Sequence, residues 1–144
     1  MVPLLKMIAI LSAAFFAGGG LFVSMVIYPA IMMDMASAVT HFGRIYNRAA
    51  PWQGSNAIIC LVAALIVSPL SGDWWWAIGG LLVGASIPFT LLVMMPVNNR
   101  LLDEKAPPTP DEAVALLKRW GELHWVRNVL STAGLIVMLA RMLY

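Results

Sequence analysis

The chain has 144 residues, 61% hydrophobic and 11% charged, with 9 Lys and Arg against 7 Asp and Glu and a mean hydropathy of +0.85. Soluble domains run near ~25% charged, so the composition excludes an ordinary water-soluble protein, and its apolar richness excludes a disordered chain. A net charge of +2 is too small for a nucleic-acid binder, and the lone Cys60 permits neither an internal disulfide nor a thiolate metal cluster.

These bounds predict a single integral membrane domain over residues 1–144. A bilayer core about 30 Å thick takes roughly 20 apolar residues of helix. Met7 to Met33 carries no charge. It is too long for a signal-peptide core and has no small-residue cleavage site behind it, so it reads as a retained first span over about residues 4–31. Along it Ala13, Ala17, Gly20 and Ser24 recur at spacings of four, three and four. That stripe lets backbones approach closely, within the chain or against a second copy of it. Tyr28 and Pro29 lie near its end.

In the next segment Met35, Ala38, Phe42, Ile45 and Tyr46 share one helical arc, and Asp34, Ser37, His41, Arg44 and Arg48 share the other. The pattern predicts an amphipathic helix lying along the membrane surface with His41 in water. Pro51 suits the first turn of a second span over about residues 51–69. A tight turn from Ser68 to Asp73 leads to Trp74, Trp75 and Trp76, which read with Trp52 as interfacial aromatic belts, or alternatively as a ligand platform.

The third span covers about residues 74–97 and holds Gly80 and Gly84 in a G-x-x-x-G arrangement. Pro88 and Pro96 each remove a backbone hydrogen bond and can kink the helix. Pro96-Val97-Asn98-Asn99-Arg100 ends it, with Thr90 two turns earlier on the Asn98 side. Ala106 to Pro110 forms a stiff connector. Thr109-Pro110-Asp111-Glu112 then starts a helix with a capping residue, a proline and acids at its positive end. One helix runs from there, as a cytoplasmic extension, into a fourth span over about residues 124–143. Asn128 to Ala140 is only 13 charge-free residues, so the fourth span carries Arg127 or Arg141 into the hydrocarbon edge.

The predicted fold is therefore all-α, an integral membrane up-down four-helix bundle. Arg44, Arg48, Arg100, Lys105, Lys118, Arg119 and Arg127 fall on one side, Lys6 and Arg141 on the other. Positive residues favour the cytoplasm, which puts both termini outside a bacterial inner (plasma) membrane.

Trp120, His124 and Arg127, spaced four and three, share one stripe entering the bilayer, and Ser131, Gly134 and Met138 continue it. Polar groups at membrane depth face the protein interior. Asn98 or Asn99 is thus positioned to hydrogen-bond Arg127, either as a structural clamp alone or as a clamp that also lines a site. Phosphate-binding glycine loops, G-x-S-x-G and H-E-x-x-H are absent, and no metal ligand set is evident. The remaining chemistry is an imidazole beside a permanent cation and amide donors, a set that can deprotonate a weakly acidic carbon or phenol and hold the resulting oxyanion. The apolar bundle around it would admit a flat lipophilic molecule from the bilayer.

The Gly-rich first span ending near Pro29, then Thr90 followed by Met95-Pro96-Val97-Asn98-Asn99-Arg100-Leu101, then Trp120-x-x-x-His124-x-x-Arg127, together resemble the anthrone-oxygenase-like family of small four-span membrane proteins, long catalogued as a domain of unknown function. The similarity covers nearly the whole chain. It implies a four-helix membrane bundle and, from the characterised fungal branch, oxidation of an anthrone to an anthraquinone with O₂ and without a prosthetic group. On that resemblance His124 is the expected base, Arg127 with Asn98 or Asn99 holds the enolate oxygen, and Trp120 stacks on the aromatic substrate. Thr90 and Tyr28 line the same site, and no cofactor is implied. The rival expectation is a non-enzymatic membrane protein, a lipophilic-ligand binder or accessory subunit. In that case the junction at His124 and Arg127 is filled by packed side chains instead of holding a pocket.

Overall fold

The computed structural model describes residues 1–143; Tyr144, the last residue of the expected domain, lies outside the described residues. Four helices, Val2–Met33, Ala38–Ser71, Trp75–Leu101 and Pro110–Leu143, are each long and apolar enough to cross a bilayer. They run alternately up and down. At one end Arg141 Nε donates to Asp73 Oδ2 at 2.9 Å and Lys6 Nζ sits 5.0 Å from the Trp76 ring centroid, which joins both terminal segments to the turn between the second and third helices. At the other end Arg100 donates from Nε and Nη2 to the two carboxylate oxygens of Glu112, at 2.7 and 2.6 Å. That fork fixes the third helix to the start of the fourth.

Local chemistry sets the ends. Pro3 occupies the first turn of the first helix, where its missing N–H is no loss. The second helix stops at Gly72, whose φ of 68° is the left-handed conformation that a side chain disfavours. The surface helix expected between the first two spans is not a separate element. Residues 38–50 are continuous with the second helix, and Pro51 lies inside it. Packing overrides the proline, because Ala38 and Phe42 are buried against Leu117, Trp120 and Leu101. His41 is exposed, as expected, with Nδ1 2.9 Å from Ser37 Oγ.

Two apolar clusters fill the bundle. One, nearer the termini, contains Ala13, Phe16, Ala64, Val67, Trp76, Val83 and Met138. The other contains Phe42, Met94, Leu101, Leu117, Trp120 and Leu123. Trp76 is therefore not part of a belt. Three consecutive tryptophans sweep about 200° of a helix, so while Trp74 and Trp75 face outward, Trp76 is fully buried.

The small-residue faces are used inside this chain. A Cβ on Gly80 would lie 2.5 Å from Ala64 Cβ, and one on Gly84 2.9 Å from a Leu61 methyl. One on Gly20 would lie 2.5 Å from Asn128 Oδ1. Ala13, Ala17 and Ser24 are likewise buried. These faces are filled by contacts within the chain.

The tightest approach to backbone is at Gly134, where an added Cβ would sit 2.5 Å from the Gly79 carbonyl oxygen and 2.8 Å from Val83 Cγ2. Backbone cannot move aside as a flexible side chain can. Gly134→Ala is expected to destabilise the bundle by about 1–3 kcal/mol, read by thermal unfolding in detergent. Gly18→Ala meets nothing within 4 Å and is expected to be neutral or slightly stabilising.

Candidate functional site

Between the two apolar clusters lies a polar layer beside a cavity of about 230 Å³. The cavity is lined by Phe16 and Tyr28 from the first helix, Tyr46 and Gln53 from the second, Thr90 and Asn98 from the third, and Trp120, His124 and Arg127 from the fourth, among others. Backbone irregularities shape it. Val23–Ile27, just before Pro29, and Thr90–Met94, just before Pro96, are each one wide π-helical turn. Proline clashes with the carbonyl four residues earlier, and a widened turn is one way for a helix to continue past it. Both turns contribute lining residues, Val23 and Ile27 from one and Thr90, Leu91 and Met94 from the other.

The fourth-helix stripe faces inward as its spacing predicts. His124 is 2% exposed, with Nδ1 2.8 Å from Ser24 Oγ. Asn128 Nδ2 donates to the same Oγ at 2.8 Å. Trp120 stacks on the imidazole with ring centroids 4.5 Å apart and meets Phe42 edge-on. Its ring being held in this way, the polar group that Trp120 has left to offer is Nε1–H. Tyr28 reaches this cluster because Gly121 leaves room: a Cβ there would lie 2.7 Å from Tyr28 Cζ.

Arg127 is held by a group that the sequence did not single out. Its Nη2 donates to Gln53 Oε1 at 2.8 Å, and the guanidinium carbon lies 5.1 Å from the Phe16 ring centroid. The expected clamp from Asn98 or Asn99 is not formed. Asn98 is buried and donates from Nδ2 to Tyr46 Oη at 3.2 Å. Asn99, about 100° further round the helix, is exposed and does not line the cavity. Thr90 lines the cavity, but its hydroxyl donates to the Ser86 carbonyl at 2.7 Å.

Four residues thus complete the polar layer without having been recognised in sequence: Ser24, Tyr46, Gln53 and Asn128. Asn128 had a usable signal, since it lies four residues beyond His124 on the same stripe. Buried polar atoms are nearly always paired. Yet Ser86 Oγ, Asn98 Oδ1, Trp120 Nε1 and Arg127 Nε have no hydrogen-bond partner among the described residues, and all four residues line the cavity. No group of three or more His, Cys, Asp or Glu side chains is placed to hold a metal ion among the described residues.

Fold and site together define a four-helix membrane protein with a mostly apolar internal cavity bordered by inward-facing polar side chains. The family model described as anthrone oxygenase matches residues 42–137, two thirds of the chain, and the chain belongs to that family. It is 28% identical over 147 residues to anthrone oxygenase tpcL of Aspergillus fumigatus, covering 94% of this chain and 91% of the relative. It is 36% identical over 70 residues, 43% of each protein, to anthrone oxygenase AgnL2 of Paecilomyces divaricatus. No solved structure matches it.

Gln53→Leu removes the acceptor of a buried cation. It is expected to cost about 1.5–3 kcal/mol, measured by thermal unfolding in detergent micelles. An unchanged midpoint would mean that the Arg127–Gln53 contact contributes nothing.

Proposed function

We propose that the protein is an anthrone-oxygenase-like membrane enzyme whose cavity binds a small lipophilic aromatic ketone, and that it catalyses base-assisted oxidation by O₂. The observation that carries this reading is the cavity itself: the junction at His124 and Arg127 holds about 230 Å³ of space instead of being filled, as a purely structural clamp would be. Membership of the anthrone oxygenase family and the names of the two fungal relatives support the same chemistry.

In the proposed reaction His124 accepts a proton from the methylene carbon of the anthrone. For this role Nδ1 keeps its hydrogen and donates it to Ser24 Oγ, which also accepts from Asn128 Nδ2, leaving Nε2 with the lone pair. The developing enolate oxygen is held by Arg127 Nε–H, which has no other partner among the described residues, and by the nearby positive charge. Gln53 positions the guanidinium through Nη2, so that Nε remains free. The electron-rich carbanion reacts with O₂. One oxygen atom becomes the new carbonyl, and the other leaves as water with the two methylene hydrogens. Carbon is oxidised by four electrons and dioxygen is reduced by four, so no further reductant is required.

The charge distribution supports an orientation with both termini outside the plasma membrane. Arg44, Arg48, Arg100, Lys105, Lys118 and Arg119 stay at the end opposite the termini, which becomes the cytoplasmic side. At about 1.5 Å per residue the fourth helix is about 51 Å long. Its first turns then project beyond an approximately 30 Å core as a cytoplasmic extension, beside the polar start of the second helix.

The test is turnover of anthrone by the purified protein in lipid nanodiscs, following quinone absorbance and O₂ uptake together. His124→Ala is expected to lower the rate by about 10²–10⁴-fold with the helical content unchanged. Turnover equal to wild type would remove His124 from the mechanism, and no turnover by the wild type would favour the non-enzymatic alternative.

A further inference from the structure

The seam between the second and third helices is closed at two levels and open between them. Towards the termini it is shut by the fit of Gly80 onto Ala64 and Gly84 onto Leu61. Towards the other end it shuts again where Asn98 donates to Tyr46. Between these levels the second helix presents Ala49, Ala50 and Gly54, while the third presents Ile87, Thr90 and Leu91, all lining the cavity. The π-helical turn Thr90–Met94 lies on one side of the gap and small side chains on the other. A Cβ on Gly54 would meet nothing within 4 Å, the opposite of the clashes found at Gly80 and Gly84 in the same seam.

The rest of the lining is less exposed. Phe42, Leu117 and Trp120 cap the cavity at the end away from the termini and are all buried, as are Phe16 and His124 towards the first and fourth helices. Leu91 is the lining residue with a largely exposed side chain, at 56%, and its neighbour Leu92 is 78% exposed. Behind the gap, lining the same space, Asn98 Oδ1 and Arg127 Nε are buried without a hydrogen-bond partner among the described residues and are available to a polar ligand.

Depth narrows what can pass. Gly54 lies 18 residues before the helix end at Gly72, about 27 Å along the axis at 1.5 Å per residue. Measured from the Trp74 and Trp75 belt, this is the far boundary of an approximately 30 Å hydrocarbon core, and Trp52, 56% exposed, marks the same level. That boundary is where aromatic groups with one apolar and one polar part collect.

The geometry points to a lateral window between the second and third helices, through which a lipophilic aromatic molecule bearing a polar group passes from the bilayer interface to the cavity. Gly54 is the residue that keeps it open. This inference rests on the cavity being a ligand site, but not on the reaction carried out there. A Cβ at Gly54 meets no atom within 4 Å, so a larger side chain there starts out into the window and is expected to act as a plug.

The experiment uses the full chain in phosphatidylcholine liposomes with a membrane-dissolved aryl diazirine photolabel, mapped by peptide mass spectrometry. In the wild type, label is expected on Trp120 and His124, which are buried from lipid, as well as on lipid-facing Leu92. Gly54→Trp and Gly54→Leu are expected to lose the interior label and retain that on Leu92, whereas Gly54→Ala keeps both. Two results overturn the window: no interior label in the wild type, or interior label undiminished in both plugged variants that still unfold cooperatively. A wild type that is labelled inside yet leaves anthrone unchanged would instead count against the proposed reaction and leave the window standing.

Discussion

A guanidinium inside a membrane bundle is the constraint around which the rest is arranged. Its charge cannot be left unpaired in an apolar interior without a cost of several kcal/mol, and no carboxylate lies within the spanning parts of the helices to meet it. Gln53 supplies an acceptor and Phe16 an aromatic face, so Arg127 is held by neutral groups and keeps its positive charge uncompensated. A charge held in that way favours a ligand that is, or becomes, negative. The same layer holds His124 by the Ser24 hydroxyl, which in turn accepts from the Asn128 carboxamide. Guanidinium and imidazole thus stand side by side on one helix, each fixed by a partner from another.

The two apolar clusters make this layer rigid. Side chains from the terminal half and from the opposite half pack closely on either side of it, and glycine contacts at Gly79, Gly80 and Gly134 bring helix backbones nearly into touch. At the level of the layer the packing changes. Proline-associated wide turns in the first and third helices spread the bundle and leave space. The protein is therefore close-packed where it needs stability and loose where polar groups face inward. The loose region also retains buried polar atoms without partners, a cost that binding of a complementary molecule would relieve.

Much of the architecture was legible in the sequence, because a bilayer imposes a length and an apolarity that few charged residues interrupt. The stripe of Trp120, His124 and Arg127 was legible for a similar reason, since helical periodicity alone puts spacings of four and three on one face. Partners across the bundle were not legible. Gln53 is 74 residues from Arg127 and Ser24 is 100 from His124, and no local pattern encodes which polar side chain meets which. Asn98 and Asn99 looked equivalent as neighbours, yet the helix turns one inward and the other out. The amphipathic pattern of residues 34–48 predicts an apolar arc on membrane lipid, whereas Ala38 and Phe42 of that arc pack on the fourth helix and residues from Ala38 onward join the second.

His124 lines the cavity within the bundle, and the proposed reaction requires a ligand to bind beside it. The chain has two histidines, one buried at the cavity and one, His41, exposed at a helix end, so ¹⁵N-histidine NMR contains its own control. Under anaerobic conditions, anthrone added to the labelled protein in nanodiscs is predicted to shift the imidazole resonances of His124 saturably while leaving those of His41 in place. Signals of His124 that stay fixed at saturating anthrone, or that move only together with His41, would contradict it.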